Sequence, residues 1–175
     1  TTINNVGITT AGAMYNLSII PQGAADTNRI GDKVAPSYLQ IRGFFRAPVV
    51  PTGSPVSNIR VVVFQFKENT RVAADEPTNS QLFPTGVLGF YPTDGFMKSV
   101  KVLSDKWYHM YGTNGNLDVS EKMLVKIPQK RLDRIQFNTT PGTYGPNHIY
   151  MAVISDRTTT PPELTCRVRL SYSDL

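Results

Sequence analysis

The sequence is poor in the residues that enzymes and metal proteins most often use. Its 175 residues include one cysteine, Cys166, and two histidines, His109 and His148. A single cysteine cannot form a disulfide within the chain, and no Cys/His spacing typical of a zinc site occurs. Both histidines lie in apolar runs, where a packed, hydrogen-bonded imidazole is far more common than a base or a ligand. We therefore predict no catalytic, cofactor-binding or metal-binding residue, and a protein that is not an enzyme.

The sequence also lacks long apolar runs and any convincing amphipathic helix. A membrane-spanning helix needs about 18 or more apolar residues, whereas the apolar runs here are short and rich in β-branched and aromatic residues. The 13 glycines and 13 prolines lie mostly between these runs, which is typical of turns. This pattern predicts an all-β domain without membrane contact.

The most apolar run, Asn58 to Lys67, predicts a central strand. It is too short for a typical buried helix and is bounded by turn residues on both sides. Eight strands with long connections suit a double-sheet jelly roll, with closed barrels and immunoglobulin-like sandwiches as alternatives. The other predicted strands are Met14–Ile20, Tyr38–Arg46, Ser99–Leu103, Trp107–Tyr111, Lys122–Ile127, His148–Ile154 and Leu164–Tyr172.

The chain divides into a short leading segment and one domain. Residues 1–13 are small, polar and uncharged, which predicts an extended arm that orders only against a neighbour. Residues 14–175 form the predicted jelly-roll domain, because a chain of this length can bury one substantial core.

The longest connection, Glu68 to Lys98, is predicted to be a contact surface, because long loops in compact domains are usually functional. Its apolar side chains are hard to explain on a monomer, so we predict that they meet a neighbouring subunit, together with the segment Ala47–Pro55. Asp75 and Glu76 could join a Ca²⁺ site between subunits, although adjacent acids in a loop are usually only solvated. The predicted interface residues are Leu82, Phe83, Val87, Leu88, Phe90, Tyr91 and Phe96.

Positive charge is in excess, with 18 Lys+Arg against 13 Asp+Glu and a net charge of +5. Several of these cations occupy the solvent phase of strands whose other phase is apolar. If those strands share a sheet, the cations form a basic field suited to a phosphate backbone. The alternative is that they only keep an exposed sheet soluble. The candidate nucleic-acid-binding residues are Arg60, Lys122, Lys126, Arg167 and Arg169.

Five strings in order along the chain carry a resemblance to a known family. They are RIGDKVAPSYLQIRGFF (29–45), IRVVVFQFK (59–67), VKVLSDKWY (100–108), NHIYMAVISD (147–156) and RVRLSYSDL (167–175). Together they resemble the capsid proteins of small circular Rep-encoding single-stranded DNA viruses and the layout of satellite tobacco necrosis virus-like coat proteins. The chain departs from the family at its front, since Thr1–Tyr15 has no basic residue where such proteins typically carry an Arg/Lys-rich arm.

The resemblance implies a single eight-stranded jelly roll of viral coat type with sheets BIDG and CHEF. On its map Met14–Ile20, Tyr38–Arg46 and Ile59–Lys67 are strands B, C and D, while Lys122–Ile127 is strand G and Leu164–Tyr172 is strand I. The protein would self-assemble into a small icosahedral shell, T=1, around a single-stranded genome that the BIDG sheet faces. It would be located in the virion, and in the host nucleus during assembly if the virus has DNA. Its partners would be its own copies, the genome and a host receptor that the sequence does not identify.

Two other functions compete with the coat protein. A jelly-roll ligand-binding module, carbohydrate-binding or trimeric and cytokine-like, would use exposed Trp107 and tyrosines to stack on a sugar or a partner. It predicts a monomer or trimer free of nucleic acid. A cupin-type enzyme would need clustered His and Glu ligands, which this chain lacks.

Overall fold

The computed structural model describes residues 1–23, 28–47, 56–68, 75–93, 95–111, 120–138 and 144–174. Within these ranges the chain is all-β, as predicted, with two antiparallel sheets. No helix there is both long and apolar enough to cross a membrane. The elements are β1 Thr2–Gly7, β2 Ala13–Asn16, β3 Lys33–Arg46, β4 Val56–Phe66, α1 Asn79–Leu82, β5 Val100–Tyr111, β6 Ser120–Pro128, β7 Ile135–Gln136, β8 His148–Ser155 and β9 Glu163–Asp174, with 3₁₀ turns at Gly95–Ser99 and Gln129–Arg131.

The strand order is that of a jelly roll. The first sheet runs β1-β9-β3-β6, with the two-residue β7 also paired to β3, and the second sheet runs β2-β8-β4-β5. Lettering the other eight strands from B to I along the chain gives the sheets BIDG and CHEF. This order confirms the predicted jelly roll and differs from the strand arrangement of immunoglobulin-like sandwiches.

The first strand lies where an arm was expected. Thr2–Gly7 pairs with β9 of the same chain, with Thr2 opposite Arg167 and Val6 opposite Leu164. Ile3 is the one buried residue of this strand, so its sequence lacks the apolar alternation that marks the other strands. Because the first strand was missed, the early predicted letters are wrong: Tyr38–Arg46 is in strand D rather than C, and Ile59–Lys67 begins in strand E rather than D. The predicted letters G for Lys122–Ile127 and I for Leu164–Tyr172 are confirmed.

Two predicted strands are a single strand in the structure. β5 contains the predicted strands Ser99–Leu103 and Trp107–Tyr111 except Ser99, which ends the preceding 3₁₀ turn, and it continues through the polar residues between them. Along β4 the pairing passes from Val63 opposite Ser104 to Phe64 opposite Val102, so Leu103 is the extra residue of a β-bulge. The bulge accommodates the break in alternation between the two predicted runs.

The main core lies between the two sheets. Leu39, Ile41 and Phe45 of β3 are fully buried there with alternate residues of β4, including Ile59 and Val61. The packed faces follow the two-residue side-chain period of a strand. Cys166 is buried in the same cluster as an unpaired thiol, as its place in the alternation predicted.

A second apolar cluster covers the outer face of the second sheet. Val62 and Phe64 of β4 pack there against Leu82, Phe83 and Val87 from the connection to β5. The short helix of that connection begins with a capping box, in which Thr78 and Gln81 satisfy each other's backbone N–H groups. β4 is therefore buried on both faces, which explains its nearly uninterrupted apolar sequence.

Candidate nucleic-acid interface

One face of the first sheet is occupied by exposed cations, and we call it the basic face. On β9, Cys166 and Val168 point into the core, so the residues between and after them point outward. The same alternation places the polar phase of β3 and β6 on this face. The cations of the central part of the basic face are Arg42, Lys122, Lys126, Arg167 and Arg169. Arg46 lies on the same face at the end of β3, opposite Glu163.

The strand register brings these cations close together. β3 lies between β9 and β6, and Arg42 is directly opposite Arg167. The next outward residue of β3, Gln40, has Arg169 opposite on one side and Lys126 on the other. Directly opposite side chains have Cβ atoms about 5 Å apart, and like charges at that spacing destabilise a sheet.

Carboxylates do not balance the basic face. The ion pairs of the described residues are formed elsewhere, for example by Lys101 with Asp133, and none involves the five cations of this face. The acids of its strands lie at strand ends, with Glu121 near the start of β6 and Glu163 and Asp174 at the two ends of β9. The centre of the face is therefore uniformly positive.

Two cations near this face were missed by the sequence analysis. Arg42 was recognised as an outward residue, but its strand was assigned to the other sheet. Lys106 reaches the same region from β5, where its Nζ donates to the backbone oxygen of Leu124 at 2.6 Å. The pairing of strands brings both residues to this face. Alternation along a single strand does not reveal which strands pair, so the sequence could not predict their position.

Arg60 does not belong to the basic face, so this part of the prediction is wrong. It lies on β4 in the second sheet, where the connection between β4 and β5 buries it. Its Nε and Nη2 donate to the two carboxylate oxygens of Asp105 at 3.1 and 2.7 Å, and its Nη1 donates to the Gly89 oxygen at 2.6 Å. Three aromatic rings lie within 5.4 Å of its guanidinium carbon, those of Phe83, Tyr91 and Trp107.

The Arg60–Asp105 pair is held in its charged form. The hydrogen bonds to Asp105 raise the pKa of Arg60. Burial alone would raise the pKa of Asp105, but the hydrogen bonds from Arg60 and Tyr91 outweigh it and hold that pKa below its ordinary value. Since Gly89 and Tyr91 both bond to this pair, it fixes the segment between them.

The predicted interface residues separate into buried and exposed groups. Leu82, Phe83 and Val87 are buried against the second sheet, so the expectation that they are exposed is wrong. Leu88 is 73% exposed and Phe90 is 93% exposed, on either side of the fixed Gly89. Tyr91 and Phe96 are partly buried against the second cluster. Of the segment Ala47–Pro55, residues 48–55 lie outside the described ranges.

The two histidines are both hydrogen-bonded, as predicted. His109 has its Nδ1 2.8 Å from the Asn58 Oδ1. His148 is buried, with its Nε2 3.0 Å from the Gln136 oxygen and its Nδ1 2.9 Å from the Ser18 Oγ. Because a carbonyl oxygen only accepts, the Nε2–H of His148 donates to Gln136. Within the described ranges no three His, Cys, Asp or Glu side chains are grouped to hold a metal ion.

Acid is expected to destabilise the protein through His148. Burial lowers the pKa of His148 to about 4, against 6.5 for an ordinary histidine. Below pH 6.5 the unfolded chain therefore binds a proton that the folded protein excludes, and the free energy of unfolding falls until about pH 4. The loss attributable to this residue is on the order of 3 kcal/mol.

Urea unfolding at several pH values, compared with His148→Gln, measures this effect. Glutamine can still donate to the Gln136 oxygen but does not titrate, so the contribution between pH 6.5 and 4 should disappear in the variant. An identical pH dependence in the two proteins would assign the acid sensitivity to other groups.

Comparison with known protein families finds no model that matches this chain, and no curated protein matches it either. Three features of the molecule itself therefore bear on its function. These are the jelly-roll strand order, the basic face, and the exposed Leu88 and Phe90 on a fixed loop.

Proposed function

We propose that this protein is a non-enzymatic viral coat protein. Its copies assemble into a small icosahedral shell, T=1, and the basic face packages a single-stranded nucleic acid genome. The observation that carries the proposal is the placement of Arg42 directly opposite Arg167 at the centre of a face without balancing acids. The sequence resemblance to capsid proteins of small single-stranded DNA viruses supports it.

Charge neutralisation explains the basic face better than solubility does. Solubilising charges work best when both signs are mixed and like charges are separated. Here two guanidinium groups are opposite each other on neighbouring strands, which costs stability in the isolated protein. A polyanion bound across the strands removes that cost, and phosphate contacts of this kind do not depend on base sequence.

Self-association is assigned to the exposed side chains of Leu88 and Phe90. The loop that presents them is anchored on one side by buried Val87 and on the other by Tyr91, whose hydroxyl donates to Asp105 at 2.5 Å. A fixed loop loses little conformational entropy on binding, so its apolar surface contributes efficiently to an interface. A closed symmetric shell repeats the same contact in every subunit.

The surroundings of Trp107 favour the coat protein over the ligand-binding module. Its ring packs over the Arg60 guanidinium at 5.0 Å and is 38% exposed, so it already takes part in an internal contact. A sugar-stacking ring needs an open face. In the coat protein, the same contact has a structural role beneath the loop that carries Phe90.

Size-exclusion chromatography with absorbance at 260 and 280 nm tests the proposal. A megadalton peak rich in nucleic acid is expected for the protein purified at low salt. A small species free of nucleic acid, with no binding to an added single-stranded oligonucleotide, would contradict the coat protein and favour the ligand-binding module.

Arg167→Ser with Arg169→Ser is expected to lower the packaged nucleic acid while shells still form. Each phosphate contact of a single strand contributes about 0.7 to the slope of log K against log salt, so the slope should become shallower by roughly 1.4. Lys98→Ser with Lys130→Ser is the matched control, because it removes the same charge from exposed 3₁₀ turns outside the basic face. Equal losses of packaged nucleic acid in the two variants would mean that packaging depends on net charge and not on the basic face.

A further inference from the structure

We infer that the central strand of the basic face carries a base-stacking subsite, in which an unpaired base lies on the Phe44 ring beside the two rows of cations. The inference rests on the proposed function and specifies its ligand as single-stranded nucleic acid rather than duplex. The ligand would contact the Phe44 ring as well as the cations of the basic face.

Phe44 lies one outward position beyond Arg42, at one end of the cations of the basic face. It belongs to the central strand β3, with Lys122 of β6 opposite on one side and Thr165 of β9 opposite on the other. Its side chain points away from the core and is 40% exposed. In the described part of the chain it makes no ring contact with another aromatic residue. A large ring in this position has a face available to a ligand.

Cations flank the strand that carries Phe44 on both sides. Lys122 and Lys126 lie on β6, while Arg167 and Arg169 lie on β9. Neighbouring strands are about 4.8 Å apart, so the two rows are separated by roughly twice that distance. A single strand can place its phosphates along such a row and turn its bases toward the ring between the rows. A duplex keeps its bases stacked inside and offers the face only phosphates.

A shallow cavity adjoins the ring. Its volume is about 330 Å³, and its lining includes Thr2, Asn4, Arg42, Phe44, Thr165 and Arg167. Hydroxyl and amide groups of this set can hydrogen-bond the edge of a base whose face lies on the ring. The Thr165 hydroxyl is held in place by Asn5, whose backbone N–H donates to it at 3.1 Å while it donates to the Asn5 Oδ1 at 2.8 Å.

Arg42 is oriented before any ligand binds. With the Gln40 amide turned so that its oxygen faces Arg42, that oxygen accepts from the Arg42 Nε at 3.1 Å and from one terminal nitrogen at 3.2 Å. The remaining N–H groups of the guanidinium are left for a phosphate or a base edge. Stacking on an aromatic ring beside an oriented guanidinium is a common arrangement in proteins that bind single strands.

Fluorescence anisotropy with three probes tests the subsite: a labelled oligo-dT, the same label on a duplex, and inorganic polyphosphate as a competitor. Phe44→Ser is expected to weaken oligo-dT binding by about 5- to 100-fold, because one stacked base contributes that much. Binding of the duplex and of polyphosphate should change less than about twofold, and the salt slope should be retained.

Leu124→Ser is the matched control, since it removes another exposed apolar side chain from the same face. It should weaken oligo-dT binding far less than Phe44→Ser does. An equal loss would mean that binding depends on general apolar contact and not on stacking.

Phe44→Trp provides a second measurement that does not need the serine variant to fold. It should retain oligo-dT affinity and show additional fluorescence quenching relative to the natural protein, and no additional quenching would overturn the subsite.

The outcomes separate this inference from the proposed function. If the natural protein binds neither oligo-dT nor polyphosphate, the proposed packaging function fails together with the subsite. If it binds both and Phe44→Ser leaves oligo-dT binding unchanged, the subsite alone fails and packaging depends on charge.

Discussion

Replacing Leu88 and Phe90 together by serine is expected to leave a folded monomer that no longer assembles. Both side chains are largely exposed in the isolated chain, so their loss costs the fold little. In the proposed interface their burial contributes about 3–6 kcal/mol per contact, which corresponds to a weakening of roughly 10²- to 10⁴-fold. Size-exclusion chromatography should show the high-mass peak replaced by a folded monomer.

The control keeps the apolar character of the same loop. Leu88→Met with Phe90→Leu preserves most of the buried area and should still assemble, with a modestly higher critical concentration. Shells formed equally well by the serine variant would move the subunit contact away from Leu88 and Phe90, and the proposed interface would be wrong.

Replacing Arg60 by methionine is expected to destabilise the protein by about 3 kcal/mol. The substitution leaves the Asp105 carboxylate without its bidentate partner, and breaking a buried ion pair on one side costs 3–5 kcal/mol. The lower end applies because the Asp105 side chain is 26% exposed. Trp107 is the single tryptophan and packs over Arg60, so its emission should shift to longer wavelength and can follow unfolding in urea.

Lys101→Met is the matched control for this prediction. It breaks the ion pair between Lys101 and Asp133, whose side chains are 34% and 44% exposed. Surface ion pairs of this kind contribute at most about 1 kcal/mol to stability. Equal costs in the two variants would mean that the Arg60–Asp105 pair does not act as a buried pair. Arg60→Met should also weaken assembly, because it frees the loop that carries Phe90.

The alternation of apolar and polar residues was sufficient to predict the fold class. In β3, β6 and β9 it identified the core faces, and it placed Lys122, Lys126, Arg167 and Arg169 on solvent faces that the structure joins into one. It could not identify β1, because Thr2–Gly7 buries a single residue. That omission moved the next three strands by one letter and separated Arg42 from the face to which it belongs.

The errors at Arg60, Leu82, Phe83 and Val87 have a common physical cause. An apolar residue in a connection can cover its own sheet or a neighbouring molecule, and its sequence is the same in both cases. Here the connection between β4 and β5 covers β4, which buries three of the predicted interface residues and encloses Arg60. The Asp105 partner lies on the neighbouring strand β5, and its position depends on strand pairing that alternation does not determine.

The pairing of β1 with β9 also restricts when a newly made subunit can complete its fold. β9 lies between β1 and β3 in the first sheet. Strands β1 and β3 can therefore pair with β9 only after more than a hundred further residues have been translated. The basic face cannot form on a ribosome before β9 has emerged, because Arg42 acquires its neighbour Arg167 only then. Nascent chains therefore lack the complete basic face until β9 has been synthesised, which on the proposed function delays capture of nucleic acid by partly made chains.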